Sequence, residues 1–519
     1  MRRSKEAGQD RPEHPDGPLA LRTEVLLRPD PRRVVARLFL PGQEMAAPGT
    51  SRAATVVARC LAISDAEVDS ELTRVMDSHG TRHRRFTDVL KDHFCAVAHR
   101  IDGADTLPAA RRLLIGAYFT QEYALETAAL FNPSLVAHPE QGADHDRLRF
   151  VLSARAVGEG HLSSIVFRSG EITVPWVMGG TSGVPTIAMD PGSALACVGT
   201  HRDDTIDRER LRRQATAVGV DAESLRFILN DLPDTFAPGD LDVALELLRD
   251  QHLTRVNAER TATAVRQTAG ASYEVEFDTE TDLSERTLLP WSAAESRGME
   301  DARFVRFTED AGTATYLATY TAYDGSRVAP ARLQTDDFRT FRASPLTGRA
   351  ATDKGLSLFP RRIGGRYLAL SRWDRENNAL AFSDDGYHWD GAVQIQSPRR
   401  PWELIQVGNC GSPVETAEGW LVLTHGVGPM REYSLGAILL DLDDPARVRG
   451  RLQDPLVQPA PDERDGYVPN VVYSCGALRH GTMLLLPYGC SDSSIRMTAV
   501  DLPALVARLQ ASPAPPGHS

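Results

Sequence analysis

The run Gly419-Trp420-Leu421-Val422-Leu423 opens on an aromatic residue just after a turn and continues apolar, the pattern of a buried strand. The same shape occurs at Thr315-Tyr316-Leu317-Ala318-Thr319-Tyr320 and at Arg366-Tyr367-Leu368-Ala369-Leu370. The leading aromatics lie 51 and 53 residues apart. A second echo, 48 residues apart, sets Thr335-Asp336-Asp337-Phe338 against Ser383-Asp384-Asp385-Gly386. Spacings of about 40 to 50 residues between short strands indicate propeller blades of about four strands each. Gly481-Thr482-Met483-Leu484-Leu485-Leu486 extends the series, and residues 148–167 supply an earlier blade. The expectation is a mainly β fold, a five-bladed β-propeller over residues 129–505.

Outside that texture the pattern changes. Residues 1–18 are charged and rich in Pro and Gly, and residues 506–519 end in Ala-Ser-Pro-Ala-Pro-Pro-Gly-His-Ser, so both ends are expected to be disordered. Residues 19–128 are expected to form a helical N-terminal unit. Val34, Val35, Leu38 and Phe39 recur at helical spacing, as do Phe86, Val89, Leu90 and Phe94, and residues 107–130 read as one long buried helix. Ser64 and Asp65 before Glu67 mark a helix start. Residues 201–266 interrupt the blade period with helical patterning, an insertion between the first blades that either packs outside the propeller or covers its site.

Composition narrows the function. A net charge of −12 argues against nucleic acid or an anionic membrane as partner. No run approaches the ~20 apolar residues that span a bilayer, and residues 1–20 lack the apolar segment of a signal peptide. The six cysteines are scattered without a C-x-x-C pair, which fits free thiols in a reducing cytoplasm. Metal-ligand spacings, phosphate-cradling glycine loops and dinucleotide fingerprints are missing from the sequence.

Several segments carry a resemblance. Phe131-Asn132-Pro133-Ser134, Met299-Glu300-Asp301-Ala302-Arg303-Phe304, Asp353-Lys354-Gly355-Leu356-Ser357-Leu358-Phe359-Pro360, Gly408-Asn409-Cys410-Gly411-Ser412-Pro413-Val414-Glu415 and Val468-Pro469-Asn470 follow one another in order. Together they resemble glycoside hydrolase family 130, enzymes of β-mannosides, from Phe131 to about Leu505 with the insertion omitted. Two departures stand out: Ala302 replaces the proline after the catalytic Asp, and Ser371-Arg372-Trp373 replaces a His-Arg-Pro.

The resemblance implies a small carbohydrate substrate and makes Asp301 the acid, with the proton passing directly or through a sugar hydroxyl. Glu415 stands where the phosphorylases of the family usually carry a phosphate-holding lysine. A carboxylate there would repel phosphate and is suited to deprotonating water. Asp374 and Glu376 are candidates for a second carboxylate, at the roughly 6.5 to 9.5 Å that inverting cleavage needs. Asn132, Arg303, Lys354, Arg372, Asn409, His425, Tyr433, Asn470 and Asp492 are the candidate binding residues, and Trp373 and Trp402 are candidate stacking platforms. The leading expectation is therefore an inverting β-mannosidase acting on β-1,2-linked manno-oligosaccharides. A phosphorylase using inorganic phosphate as co-substrate stays open, because Arg372, His425 and Tyr433 remain where a phosphate cradle would need them. A non-catalytic sugar-binding propeller is the third reading. The N-terminal unit is expected to pack on the propeller or to join copies of the chain into a homo-oligomer.

Overall fold

The computed structural model describes residues 19–42, 45–47, 50–144, 146–173, 185–190, 192–203, 205–250 and 257–512. Residues 1–18 and 513–519, expected to be disordered, lie outside the described residues.

The chain is mainly β, built from successive antiparallel meanders. The first runs through Ala129–Ala137, Arg147–Val157, Ser163–Thr173 and Thr186–Met189. The second runs through Gly298–Thr308, Ala314–Tyr323, Val328–Thr335 and Thr340–Pro345. The third holds Ser357–Leu358, Tyr367–Ser371, Asn378–Ser383 and Gly391–Gln396. The fourth holds Gln406–Asn409, Val414–Thr416, Gly419–Val427, Tyr433–Leu440 and Val448–Arg451. The last holds Val472–Tyr473, Leu478–His480, Met483–Cys490 and Ser494–Asp501.

Each meander buries one face against the next. Phe167 meets Phe304 and Phe338 between the first and second, and Phe307 meets Tyr367 and Trp389 between the second and third. Leu370 meets Trp420 and Ile438 between the third and fourth. Leu423 and Leu435 meet Leu484 and Leu486 between the fourth and last. Leu485, Ile495 and Met497 then pack back on Leu135, Phe150 and Leu152 of the first. A fully buried Leu or Phe contributes about 1.5 to 3 kcal/mol, so these interfaces dominate the cohesion of the fold.

Ala20–Leu27, assigned by sequence to a helical unit, is instead a strand paired antiparallel with Ser494–Asp501, from Ala20↔Val500 to Leu27↔Ile495. The first described residues thus complete the last sheet. Val34–Leu38, also expected to be helical, is a strand paired with Thr120–Ala124. Residues 107–130 are not one helix: Ala109–Tyr118 is helical, and two strands follow. Short apolar runs satisfy both periods, and here a pairing partner decides between them. The helices Arg52–Ala62, Asp65–His79 and Phe86–Ala98 do form, the second on the Ser64/Glu67 capping box. At the other end, residues 506–511 belong to the helix Leu502–Ala511, whose Leu505, Val506 and Leu509 are core residues.

The helical part of the N-terminal region is fastened to the sheets by a buried charge cluster. Glu126 is ion-paired with Arg33, whose Nε lies 2.8 Å away, and accepts a hydrogen bond from Arg168 Nη2 at 2.7 Å. The insertion contains the helices Arg208–Ala217, Ala222–Leu229, Pro238–Asp250 and Ala258–Ala269 around a core of its own. Its flanking strands Thr200–Asp203 and Tyr273–Glu276 extend the outer edge of the second meander beyond Thr340–Pro345. Arg213 pairs with Asp385 at 2.7 Å, and the Arg210 guanidinium lies 4.1 Å from the centre of the Tyr387 ring. That turn follows Asn378–Ser383, whereas Arg372 follows the antiparallel Tyr367–Ser371, so the two lie at opposite ends of the sheet. The insertion therefore docks away from Arg372.

Candidate active site

The first strands of two meanders break register in the same way. Gly298–Thr308 slips between Glu300 and Arg303, and Ala129–Ala137 slips between Phe131 and Ser134. At these bulges Asp301 and Asn132 adopt left-handed backbone, with φ of 56° and 50°. A bulge leaves a residue unpaired and re-aims its side chain, and non-glycine residues hold this backbone only where the surroundings over-determine it. The two side chains meet: Asn132 Nδ2 donates to Asp301 Oδ1 at 2.7 Å.

Cations surround this pair. Arg155 reaches Glu300 at 2.6 Å and Asp301 at 3.5 Å, and Lys354 Nζ lies 2.5 Å from the second Glu300 oxygen. Arg303 donates to the Asp301 carbonyl oxygen and to the Tyr473 hydroxyl, both at 2.8 Å. Burial opposes the Asp301 charge, but Arg155, Lys354, Arg303 and the Asn132 amide prevail and hold its carboxyl at about 2. Asp492 shows the opposite balance. Burial and then the nearby Asp301 charge push it up to about 6. Asp492 and the neighbouring Asn470 also have left-handed backbone, with φ of 49° and 62°.

A second group converges from the third and fourth meanders. Arg372 Nη1 lies 3.0 Å from His425 Nε2. The His425 ring is fully buried, stacked on Tyr433 at 5.9 Å and set edge-on to Tyr473 at 4.9 Å. Burial, then Arg372 and Arg303, hold the imidazole pKa well below its usual range, so the ring is neutral. Asn409 is locked by Ser357 Oγ at 2.7 Å and by the Gly355 carbonyl oxygen at 2.6 Å. Asn470 accepts from Arg464 at 3.2 Å, while its carbonyl receives the Tyr433 amide at 3.0 Å.

Two residues expected to be catalytic are placed otherwise. Glu415 is paired with Trp420 across its hairpin, whereas His425 lies five residues further along that strand. At ~3.3 Å per residue that is about 16 Å away. Its carboxylate, 42% exposed, is held by Arg361 at 2.6 Å. Glu415 therefore belongs to the far end of the sheet, away from His425. Asp374 caps the turn after Arg372, accepting from the Glu376 and Asn377 amides and the Asn377 side chain. Burial opposes its charge, but those bonds hold the carboxyl below the usual range. Its oxygens thus serve the turn. Trp373 is exposed in the same turn, and Trp402 bonds the Gln453 carbonyl oxygen through its indole nitrogen.

The sequence does not single out Arg155, although it pairs with both Glu300 and Asp301. Its only mark in the sequence is a cation inside the apolar strand Arg147–Val157. Glu300 is visible in a motif, but nothing in the sequence shows what it touches.

A family model described as beta-1,4-mannooligosaccharide phosphorylase matches residues 268–510. A 1,2-beta-oligomannan phosphorylase of Thermoanaerobacter sp. (strain X514) is 33% identical over 224 residues, covering 40% of this chain and 70% of that protein. A beta-1,2-mannobiose phosphorylase of Listeria innocua is 32% identical over 222 residues, covering 40% of this chain and 59% of that protein. A beta-1,4-mannooligosaccharide phosphorylase of Ruminococcus albus is 33% identical over 181 residues, covering 32% of this chain and 54% of that protein. The matched region holds Glu300, Asp301, Lys354, Arg372, His425 and Asp492. The chain belongs to glycoside hydrolase family 130, whose members act on glycosidic bonds.

Proposed function

We propose that this chain is a β-mannoside phosphorylase that cleaves short β-manno-oligosaccharides with inorganic phosphate and releases mannose 1-phosphate. One observation carries the reading. Arg372 has no ion pair among the described residues and makes only a 3.4 Å contact at Nη2. A guanidinium left without a carboxylate suits a multiply charged oxyanion. The placement of Glu415 at the far end of its sheet removes the carboxylate that would have repelled phosphate. The names of the three relatives support the same choice.

In this reading a phosphate oxygen attacks the anomeric carbon of the mannosyl unit while the bond to the leaving sugar oxygen breaks. The leaving oxygen needs a proton. Asp301 is ionised in the free protein and Asp492 titrates at about 6, so this carboxylate pair holds a proton below that pH. Sugar seated between Asp301 and its cations would desolvate the carboxyl further and weaken their hold, raising it toward a working acid. The same reading takes the five meanders as the blades of a five-bladed propeller, with the last blade completed by Ala20–Leu27 and the site at the end where the bulged strands begin. The test is incubation with β-1,2- and β-1,4-mannobiose, with and without phosphate. Phosphate-dependent mannose 1-phosphate supports the proposal; free mannose released equally well without phosphate overturns it.

A further inference from the structure

We propose that the helical insertion carries a docking groove for a basic amphipathic helix of another protein. This goes beyond the phosphorylase reading and does not depend on it. The groove lies between the helices Ala222–Leu229 and Pro238–Asp250 and has a volume of about 710 Å³. Both helices precede the residues that the family model matches. Pro238–Asp250 is apolar on two faces. Leu241, Leu245 and Leu248 are buried in the core of the insertion. Val243 and Leu247, one turn apart on nearly the opposite side, are 65% and 56% exposed. Phe227 of the other helix adds a third exposed apolar side chain to the same groove.

Folding of the insertion has no use for this stripe. Its core is already closed by the inner faces of both helices, and the outward positions of a surface helix ordinarily carry polar residues. Apolar side chains at i and i+4, with an aromatic beside them, form the kind of groove into which a partner helix lays its own apolar face. Charge then selects the partner. Glu223, Asp231 and Asp240 line the groove against one cation, Arg226, and the whole chain carries a net charge of −12. A second copy would set three carboxylates against three across a two-fold axis, and an anionic membrane surface would be repelled for the same reason. Lys and Arg flanking an apolar stripe answer this rim. The insertion docks on Asp385 and Tyr387, at the end of the third meander opposite Arg372, so a helix seated here tethers the chain away from the catalytic residues.

The test is selection from a displayed library of helices about four turns long on the full-length chain, with counter-selection on Val243→Gln/Leu247→Gln. Both positions are exposed and glutamine is a good helix former, so the variant should melt and turn over mannobiose as wild type does. If it does not fold, Leu247→Gln alone takes its place. Enriched helices are expected to combine an apolar stripe at i, i+4 and i+7 with an excess of Lys and Arg. One of them, synthesised and labelled, should bind wild type in fluorescence anisotropy and lose about tenfold or more in affinity to the double variant. Asp231→Arg should weaken it by about threefold or more. Enrichment of acidic or uncharged helices, or of none, overturns the proposal, as does an affinity that neither variant changes. A dimer in light scattering, or binding to phosphatidylserine vesicles, that Val243→Gln/Leu247→Gln abolishes also overturns it and gives the groove to a second copy or to a membrane.

Discussion

Asn132 and Asp301, 169 residues apart in the chain, share a hydrogen bond of 2.7 Å between two left-handed backbone positions. Each sits at a bulge in the first strand of its meander, so the same local irregularity, used twice, brings an amide to a carboxylate. The bond helps keep Asp301 ionised while a second carboxylate, Asp492, stands near it with a raised pKa.

Replacing Asp301 tests the acid. Asp301→Asn preserves size and the contact with Asn132 after an amide rotation, but it has no proton to exchange. Turnover of mannobiose should fall by roughly 10² to 10⁴, with the melting temperature somewhat lowered, because the carboxylate that Arg155, Lys354 and Arg303 hold ionised is lost. Retention of more than about a tenth of wild-type turnover would remove Asp301 from the acid role.

The carboxylate pair sets a pH dependence. Asp492 is raised to about 6, so the proton it holds is present below that pH and lost above it. A step that needs this proton should slow as pH rises through about 6, and Asp492→Asn should flatten that limb of the kcat/KM profile. An identical limb in the variant would assign it to another group.

Glu415→Gln should be nearly harmless. Its half-exposed pair with Arg361 contributes about 0 to 1 kcal/mol, and the site lies about 16 Å along the strand. We expect kcat/KM within about twofold of wild type and a slightly lower melting temperature. A loss of activity of a hundredfold would return Glu415 to the chemistry.

Gly408→Ala should act on the phosphate side. The added methyl would meet Arg372 and His425 at 2.3 Å, a distance neither can tolerate in place. A rise in phosphate KM larger than the change in mannobiose KM is expected; equal effects on both would show a general disturbance of the site.

Deleting residues 1–27 should destabilise the catalytic body itself. It removes the strand Ala20–Leu27 and exposes the edge of Ser494–Asp501, together with the core surface covered by Val25 and Leu27. Aggregation or loss of the cooperative melt is expected; a soluble, fully active product would show that the strand is dispensable.

The sequence by itself determined a good part of this protein. Aromatic-led apolar runs about fifty residues apart identified a repeated β-meander, because alternation and turn residues are local properties of the chain. The ordered motifs around Asn132, Asp301, Lys354, Asn409 and Asn470 identified the family for the same reason. What only the tertiary structure decided is which of those residues share a site. Glu415 and Asn409 are six positions apart in one motif, yet the strand carries Glu415 to the opposite end of the sheet. Arg155 lies in an unremarked strand, yet pairing with Ser163–Thr173 and packing beside Gly298–Thr308 set it on Glu300 and Asp301. Ala20–Leu27 became a strand because Ser494–Asp501, more than four hundred residues away, offered it a free edge. Strand partners and charge neighbours are long-range properties, fixed by which faces the packed sheets bring together, and a local pattern carries no record of them.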